Sequence, residues 1–272
     1  MKRVASLRYG VIFKKAFVDP QIFTAFVRDV VGVAIEIDKV ETEKSFDPPI
    51  GQVAVEFDLY AEDKKNRIIV DIQHERYIDH YDRFLHYQCA AILQQIANAN
   101  DYRPQLSVYT LVVLTSGDKH HQDISIIDFD PHTLQGEALG EIPHKVFFIC
   151  PKYVNDETPV QVSEWLRAID DSLDEQVDEA QYTHPEIQRI FDIIEKDLVT
   201  PSERARMFEE SHQEELKQTA FAEGREEGRE EGEQRKASEI ARALLAEKTT
   251  PAAVSRITSL TVEQVQALIN AG

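Results

Sequence analysis

An apolar run interrupted once by an acid, Ile68-Ile69-Val70-Asp71-Ile72, constrains the fold of this chain more than any other segment. Nearly continuous aliphatic runs of this length belong to strands covered on both faces, whereas a strand with one solvated face alternates apolar and polar residues. The run therefore predicts an interior strand of an α/β sheet. An ionised carboxylate in such a strand is costly unless a partner or a cation offsets it. Just before it, residues 53–60 (VAVEFDLY) read as a second strand, joined to residues 67–73 (RIIVDIQ) by the polar turn of residues 61–66.

Side chains alternate across a strand, so Glu56 and Asp58 are expected on one face and Asp71 and Gln73 on one face of the next strand. A short hairpin can bring those faces together. Two carboxylates a few ångströms apart raise one another's pKa unless a cation lies between them, and oxygen donors of this kind suit Mg²⁺ or Mn²⁺. Acids on a hairpin also occur as solvated outer-face residues, but the apolar neighbours of Asp71 favour a hydrolytic metal site.

The order of acid, short hairpin and acid-x-polar resembles the PD-(D/E)XK nuclease superfamily, in particular its branch of Rpn-type recombination-promoting nucleases and transposases. In that branch Gln commonly stands where the superfamily has Lys, as Gln73 does here. Other segments share the likeness: Phe13-Lys14-Lys15-Ala16-Phe17, His80-Tyr81-Asp82-Arg83-Phe84-Leu85-His86-Tyr87 and the Gly-Arg-Glu-Glu repeats. The resemblance covers nearly the whole chain. It implies a mixed central sheet flanked by helices, a restriction-endonuclease-like core, with an all-helical C-terminal extension. It also implies a metal-dependent DNA endonuclease associated with recombination or transposition, using Mg²⁺ or Mn²⁺. Asp58 and Asp71 would be the metal ligands, with the backbone carbonyl of Ile72 as a further oxygen. Gln73 would stand beside the attacking water, which it can orient by hydrogen bonding but cannot deprotonate. Lys14, Arg83 and Tyr87 are the expected substrate contacts. Relatives usually carry an acid just before the Phe-Lys pair, where this chain has Gly10, and Glu56 is the substitute that the strand pattern offers. These departures keep a second reading open, a decayed nuclease fold acting in binding or assembly. RNA is a third, since metal-assisted phosphodiester hydrolysis does not distinguish sugars at the metal.

With 272 residues and 42% hydrophobic content, the chain can hold one medium α/β domain and a smaller appendage. Its first residues lack the apolar stretch of a secretory signal and no apolar run is long enough to span a bilayer, so a cytoplasmic protein without membrane partners is expected. Cys89 and Cys150 have no paired spacing, which argues against a disulfide framework or a zinc site. The net charge of −19 is unevenly spread: residues 1–150 carry 16 basic and 22 acidic side chains, and residues 151–272 carry 14 and 27. Affinity for DNA comes mainly from cations that neutralise phosphates. Lys14, Lys15, Arg76, Arg83 and Arg103 are the candidates for a positive rim around the site.

Phe23, Phe26, Val27 and Val30 form one stripe of a helix over residues 20–31. A second helix over residues 79–99 would turn Phe84, Ala91, Ile92 and Ile96 to the core. Arg83, Tyr87 and Gln94 on its neighbouring face read either as a phosphate- and water-positioning face or as a polar outer face. Residues 106–115, 124–129 and 145–149 are further strands. Among the histidines, His74 beside Gln73 is placed to assist a proton transfer, whereas His120-His121 read as a solvated loop. No HExxH, GxSxG or glycine-rich phosphate loop is present.

Four segments follow: a nuclease-like domain over 1–155, an acidic helical region over 156–220, the repeat over 221–236 and a small helical module over 237–272. Gly224, Gly228 and Gly232 place a glycine stripe on the repeat, with Glu226 and Arg229 as an ion pair. It reads either as a self-associating helical stalk or as a solvated linker. In the last module, Thr250-Pro251 and the capping box Thr261-Val262-Glu263-Gln264 open two helices. The final helix contains no Lys or Arg, so these helices suit protein contact, and a homo-oligomer through them, better than DNA reading.

Overall fold

The computed structural model describes residues 1–46, 55–74, 79–95 and 104–270. Its centre is a mixed six-stranded sheet built from β2 (Glu41–Phe46), β3 (Val55–Glu62), β4 (Asn66–Gln73), β5 (Ser107–Leu114), β6 (Ile124–Asp128) and β7 (Lys145–Ile149), in the order β2-β3-β4-β5-β7-β6. The pairs β2–β3, β3–β4 and β6–β7 are antiparallel, and β4–β5 and β5–β7 are parallel. A two-residue strand, β1 (Lys2–Arg3), pairs separately with β8 (Gln176–Val177).

The central strand β4 is buried over every residue but its last, as its apolar sequence requires. Alternate residues serve opposite helical layers. Ile68, Val70 and Ile72 join the larger core, which is filled by α1 (Gly10–Phe17), α2 (Pro20–Val31), α4 (Val160–Asp171) and α5 (Pro185–Ile193) through Phe13, Phe17, Phe26, Trp165 and Phe191. Ile69 instead packs with Phe57, Tyr60, Ala90 and Ala91 on the side of α3 (His80–Leu93). Phe84 of α3 meets Val112, Val146 and Phe148 in an adjoining cluster. The parallel pair β4–β5 is thus linked through α3, and β4 is covered on both faces.

The N-cap of α2 is Asp19, whose carboxylate accepts from the backbone of Gln21 and Ile22, and Pro20 takes the first helical position. Its apolar stripe docks against α4, where Trp165 donates to Asp29 at 2.9 Å. Although α4 and α5 lie in the acidic part of the sequence, their buried faces belong to the same core as β4. Packing divides the chain elsewhere, into Met1–Glu210 and Ser211–Gly272.

One helix, α6 (Pro201–Ala246), contains the whole glycine repeat. A Cβ built at Gly224, Gly228 or Gly232 would meet no atom within 4 Å. Arg229 pairs with Glu226, and with Glu233 at 2.6 Å. The second unit is completed by α7 (Pro251–Thr258) and α8 (Val262–Asn270), around Ala241, Val254, Leu260 and Val265. The capping box is formed: Gln264 N–H donates to Thr261 Oγ1 at 3.2 Å, and Thr261 N–H donates to Gln264 Oε1 at 2.8 Å. Thr250 has the extended backbone of an N-cap, but its side chain makes no capping hydrogen bond. Among the described residues no helix is long and apolar enough to cross a membrane.

Candidate active site

The β3–β4 ladder stops at Leu59–Val70, one step short of the two aspartates, while β4 stays bonded to β5 as far as Gln73–Leu114. Beyond that last rung, the backbone N–H of Ile72 donates to Asp58 Oδ2 at 3.1 Å. A side chain has taken the place of the next strand rung, because a buried N–H must find an acceptor. The β3–β4 pairing is therefore continued by a carboxylate.

Strict alternation along β3 fails at the same point. Phe57 and Tyr60, three residues apart, share one cluster, whereas Leu59 belongs to the core on the opposite face. Opposite, the β2–β3 pairing passes over Glu43 and Asp58, and Glu43 takes φ 55°, uncommon for a residue with a Cβ. Glu56 is exposed, and among the described residues no hydrogen bond or ion pair joins it to Asp58 or Asp71.

Asp71 is 3% exposed, and its Oδ2 has no hydrogen-bond partner. Burial, then the nearby charge of Asp58, push its carboxyl well above the ordinary range; Arg83, the backbone N–H of Asp58 and Lys14 pull the other way without prevailing. Two cations thus act on the aspartates from opposite helical layers, Lys14 on α1 and Arg83 on α3. Lys14 Nζ lies 3.5 Å from Asp58 Oδ1 and donates to Glu43 Oε1 at 3.1 Å. Burial disfavours the Lys14 ammonium, but Asp58 and Glu43 outweigh it and hold its pKa above the usual lysine value.

Arg83 Nε donates to Tyr87 Oη at 3.3 Å, with its guanidinium 5.3 Å from the Tyr87 ring centre. The ring itself packs edge-on to Phe57 and Phe84. The two residues are therefore held together as helical neighbours, while Gln94, at the far end of α3, is exposed. Gln73 is half-buried at the end of β4, and its carbonyl accepts from Thr115 N–H at 3.0 Å. His74 Nδ1 lies 2.8 Å from Thr115 Oγ1. Lys15 is occupied elsewhere, by the Leu198 carbonyl at 2.9 Å and Glu203 at 3.1 Å. Arg76, Arg103 and Ile96 lie outside the described residues.

Two acids near the site have no local sequence signal. Glu43 lies on the polar strand β2, and Glu210 lies on α6, where its Oε2 accepts the Gly10 N–H at 2.9 Å. Burial raises the pKa of the Glu210 carboxyl; the Gly10 and Val11 N–H groups and Lys14 oppose that, and Asp58 adds to it.

The residues present fit a hard divalent cation. Asp71 offers a buried oxygen without a partner, Asp58 a second carboxylate, and the Ile72 carbonyl a neutral oxygen. Among the described residues no group of three or more His, Cys, Asp or Glu side chains is gathered closely enough to hold a metal by side chains alone. A two-carboxylate site suits Mg²⁺, which keeps several of its waters.

The family model of the PD-(D/E)XK nuclease family transposase matches residues 19–223. The chain belongs to this family. The match takes in β3, β4, α3 and the first half of α6, and begins just after α1. No curated protein and no solved structure matches the chain. Membership of a nuclease family associated with transposition agrees with the mixed sheet and with acids at the end of its hairpin.

Proposed function

We propose that this protein is a Mg²⁺- or Mn²⁺-dependent DNA endonuclease whose reaction serves transposition or recombination. The observation that carries the reading is the Asp71 carboxylate, buried, without a hydrogen-bond partner on one oxygen, and close enough to Asp58 to raise its pKa. Arg83, Lys14 and the Asp58 N–H do not offset the burial of Asp71 and its repulsion from Asp58, whereas a bound divalent ion would.

Asp58, Asp71 and the Ile72 carbonyl hold the ion. When bound, it supplies Lewis acidity toward a phosphate oxygen and lowers the pKa of a water. Gln73 orients that water. Arg83, steadied by Tyr87, offers its charge to a phosphate, and Lys14 shares itself between Asp58 and the substrate backbone. Without a lysine in place of Gln73, the site lacks one electrostatic contribution to the transition state, and slow turnover is expected. Self-association through α6 belongs to the same proposal, supported by the open flank of its three glycines.

The test is cleavage of supercoiled plasmid by the full chain with Mg²⁺ or Mn²⁺, beside Asp71→Ala and an EDTA control. Metal-dependent nicking that is lost in the variant supports the reading. Cleavage no greater than that of the variant, across several metals and with both DNA and RNA, transfers the protein to a binding or assembly role.

A further inference from the structure

We propose that Glu210, delivered by α6, is an acid that flanks the cation site and acts on it through water and charge rather than as a ligand. The inference rests on the metal-dependent reading above and names a residue that reading does not use. Three contacts dock the start of α6 on α1 and β2: Glu203 on Lys15 at 3.1 Å, Arg206 near Glu43 at 3.9 Å, and Glu210 on the N–H of Gly10 at 2.9 Å. Glu203, Met207 and Glu210 recur at the spacing of one helix face, and Met207 packs on the main core. Glu210 is thus held at a fixed place.

That place is beside the site. A Cβ on Gly10 would lie 3.7 Å from Glu210 Oε1 and 3.9 Å from the Ile72 side chain, so the Glu210 carboxylate and the residue between Asp71 and Gln73 flank the same glycine. Asp58 and Lys14, the groups that also act on Asp71, act electrostatically on Glu210. The unpartnered Asp71 oxygen is the independent sign that a ligand belongs here. Asp58, Asp71, Glu43 and Glu210 when ionised outnumber the cations Lys14, Arg83 and Arg206 by one, so net negative charge remains to attract a divalent ion. Glu210 then acts as a positioning residue, accepting a hydrogen bond from a metal-bound water and adding to the field that retains the ion.

A purely structural Glu210, capping α1, makes a different forecast. Gln offers the same carbonyl-type acceptor to the Gly10 N–H but carries no charge, so Glu210→Gln keeps the cap and removes the field. The probe is Mn²⁺ alone, titrated calorimetrically and by the EPR signal of free Mn²⁺ into the full chain. Glu210→Gln is expected to weaken Mn²⁺ binding about 10- to 100-fold, as removal of outer-shell groups does elsewhere, with the melting temperature in EDTA unchanged. Gly10→Asp in a Glu210→Ala background should restore most of the affinity, because aspartate at position 10 spans most of the 3.7 Å gap to the vacated oxygen.

Wild-type affinity in Glu210→Gln overturns the inference, and so does a double variant that binds no more tightly than Glu210→Ala. If Glu210→Gln also melts earlier, the double variant decides. Asp71→Asn separates the two proposals: if it alone loses Mn²⁺, the metal reading stands and the role of Glu210 falls. If the wild type takes up no Mn²⁺, both fall together.

Discussion

The Asp58 carboxylate accepts the Ile72 N–H at 3.1 Å, so one side chain both closes the end of the β3–β4 ladder and brings charge to it. The two roles can be separated. Asp58→Asn keeps an acceptor for the N–H, whereas Asp58→Ala leaves it unpaired, at a cost of about 1–3 kcal/mol. Urea unfolding in EDTA should show a clearly larger loss for Asp58→Ala than for Asp58→Asn. Plasmid nicking should be abolished in both.

Asp71 gives a pH signature. Its folded pKa is raised, so the folded state binds the proton more tightly than the unfolded chain does. The stability it contributes is full below the ordinary carboxylate pKa and is lost as pH rises through the elevated folded value. In EDTA the wild type should therefore gain stability relative to Asp71→Asn as pH falls from neutral toward the ordinary carboxylate range. At neutral pH Asp71→Asn should melt no lower than the wild type. Adding Mg²⁺ at neutral pH should raise the melting temperature of the wild type alone. Equal pH slopes for the two proteins would refute the assignment.

For Arg83 the readout is salt. If it neutralises one phosphate, Arg83→Ala should make the plot of log affinity against log salt shallower by about 0.9 for duplex DNA, at every sequence tested. Tyr87→Phe removes only a 3.3 Å hydrogen bond and keeps the ring packed on Phe57 and Phe84, so its effect on binding should be a small fraction of that. An unchanged slope in Arg83→Ala would place the guanidinium in a purely internal role.

The glycines of α6 invite a substitution that distinguishes stalk from linker. Each has open space where a methyl would go, and Ala is worth about 1 kcal/mol over Gly in a helix interior. Changing Gly224, Gly228 and Gly232 together to Ala should raise the helix signal and its melting temperature in circular dichroism. Sedimentation velocity on the same variant should show weaker self-association if close backbone approach at these glycines holds two copies together. Association at wild-type strength would remove the glycine stripe from that interface.

What the sequence made legible is what one strand or one helix can encode. Asp71 stood out because an acid inside Ile68–Ile72 has no ordinary reason to be there, and Arg83 and Tyr87 are neighbours by helical spacing alone. The strand β2 carries no apolar pattern because Glu41–Phe46 is mostly polar, as suits an edge that must resist pairing with other chains. The change of face between Phe57 and Tyr60 has no signal in the alternating sequence pattern. A boundary at residue 155 followed charge, whereas Trp165 and Phe191 carry α4 and α5 into the main core. Glu210 and Gly10 are 200 residues apart, and no local pattern announces a contact of that range.

That same separation sets an order of events. During synthesis Asp58 and Asp71 leave the ribosome early, but the chain must grow past residue 210 before the Gly10 N–H can receive its carboxylate, and past residue 177 before β1 finds β8. A stalled or clipped chain would hold both aspartates without the segments that close the fold around them. In this member of a nuclease family, the contacts that close the fold around the two aspartates thus come from the late part of the chain.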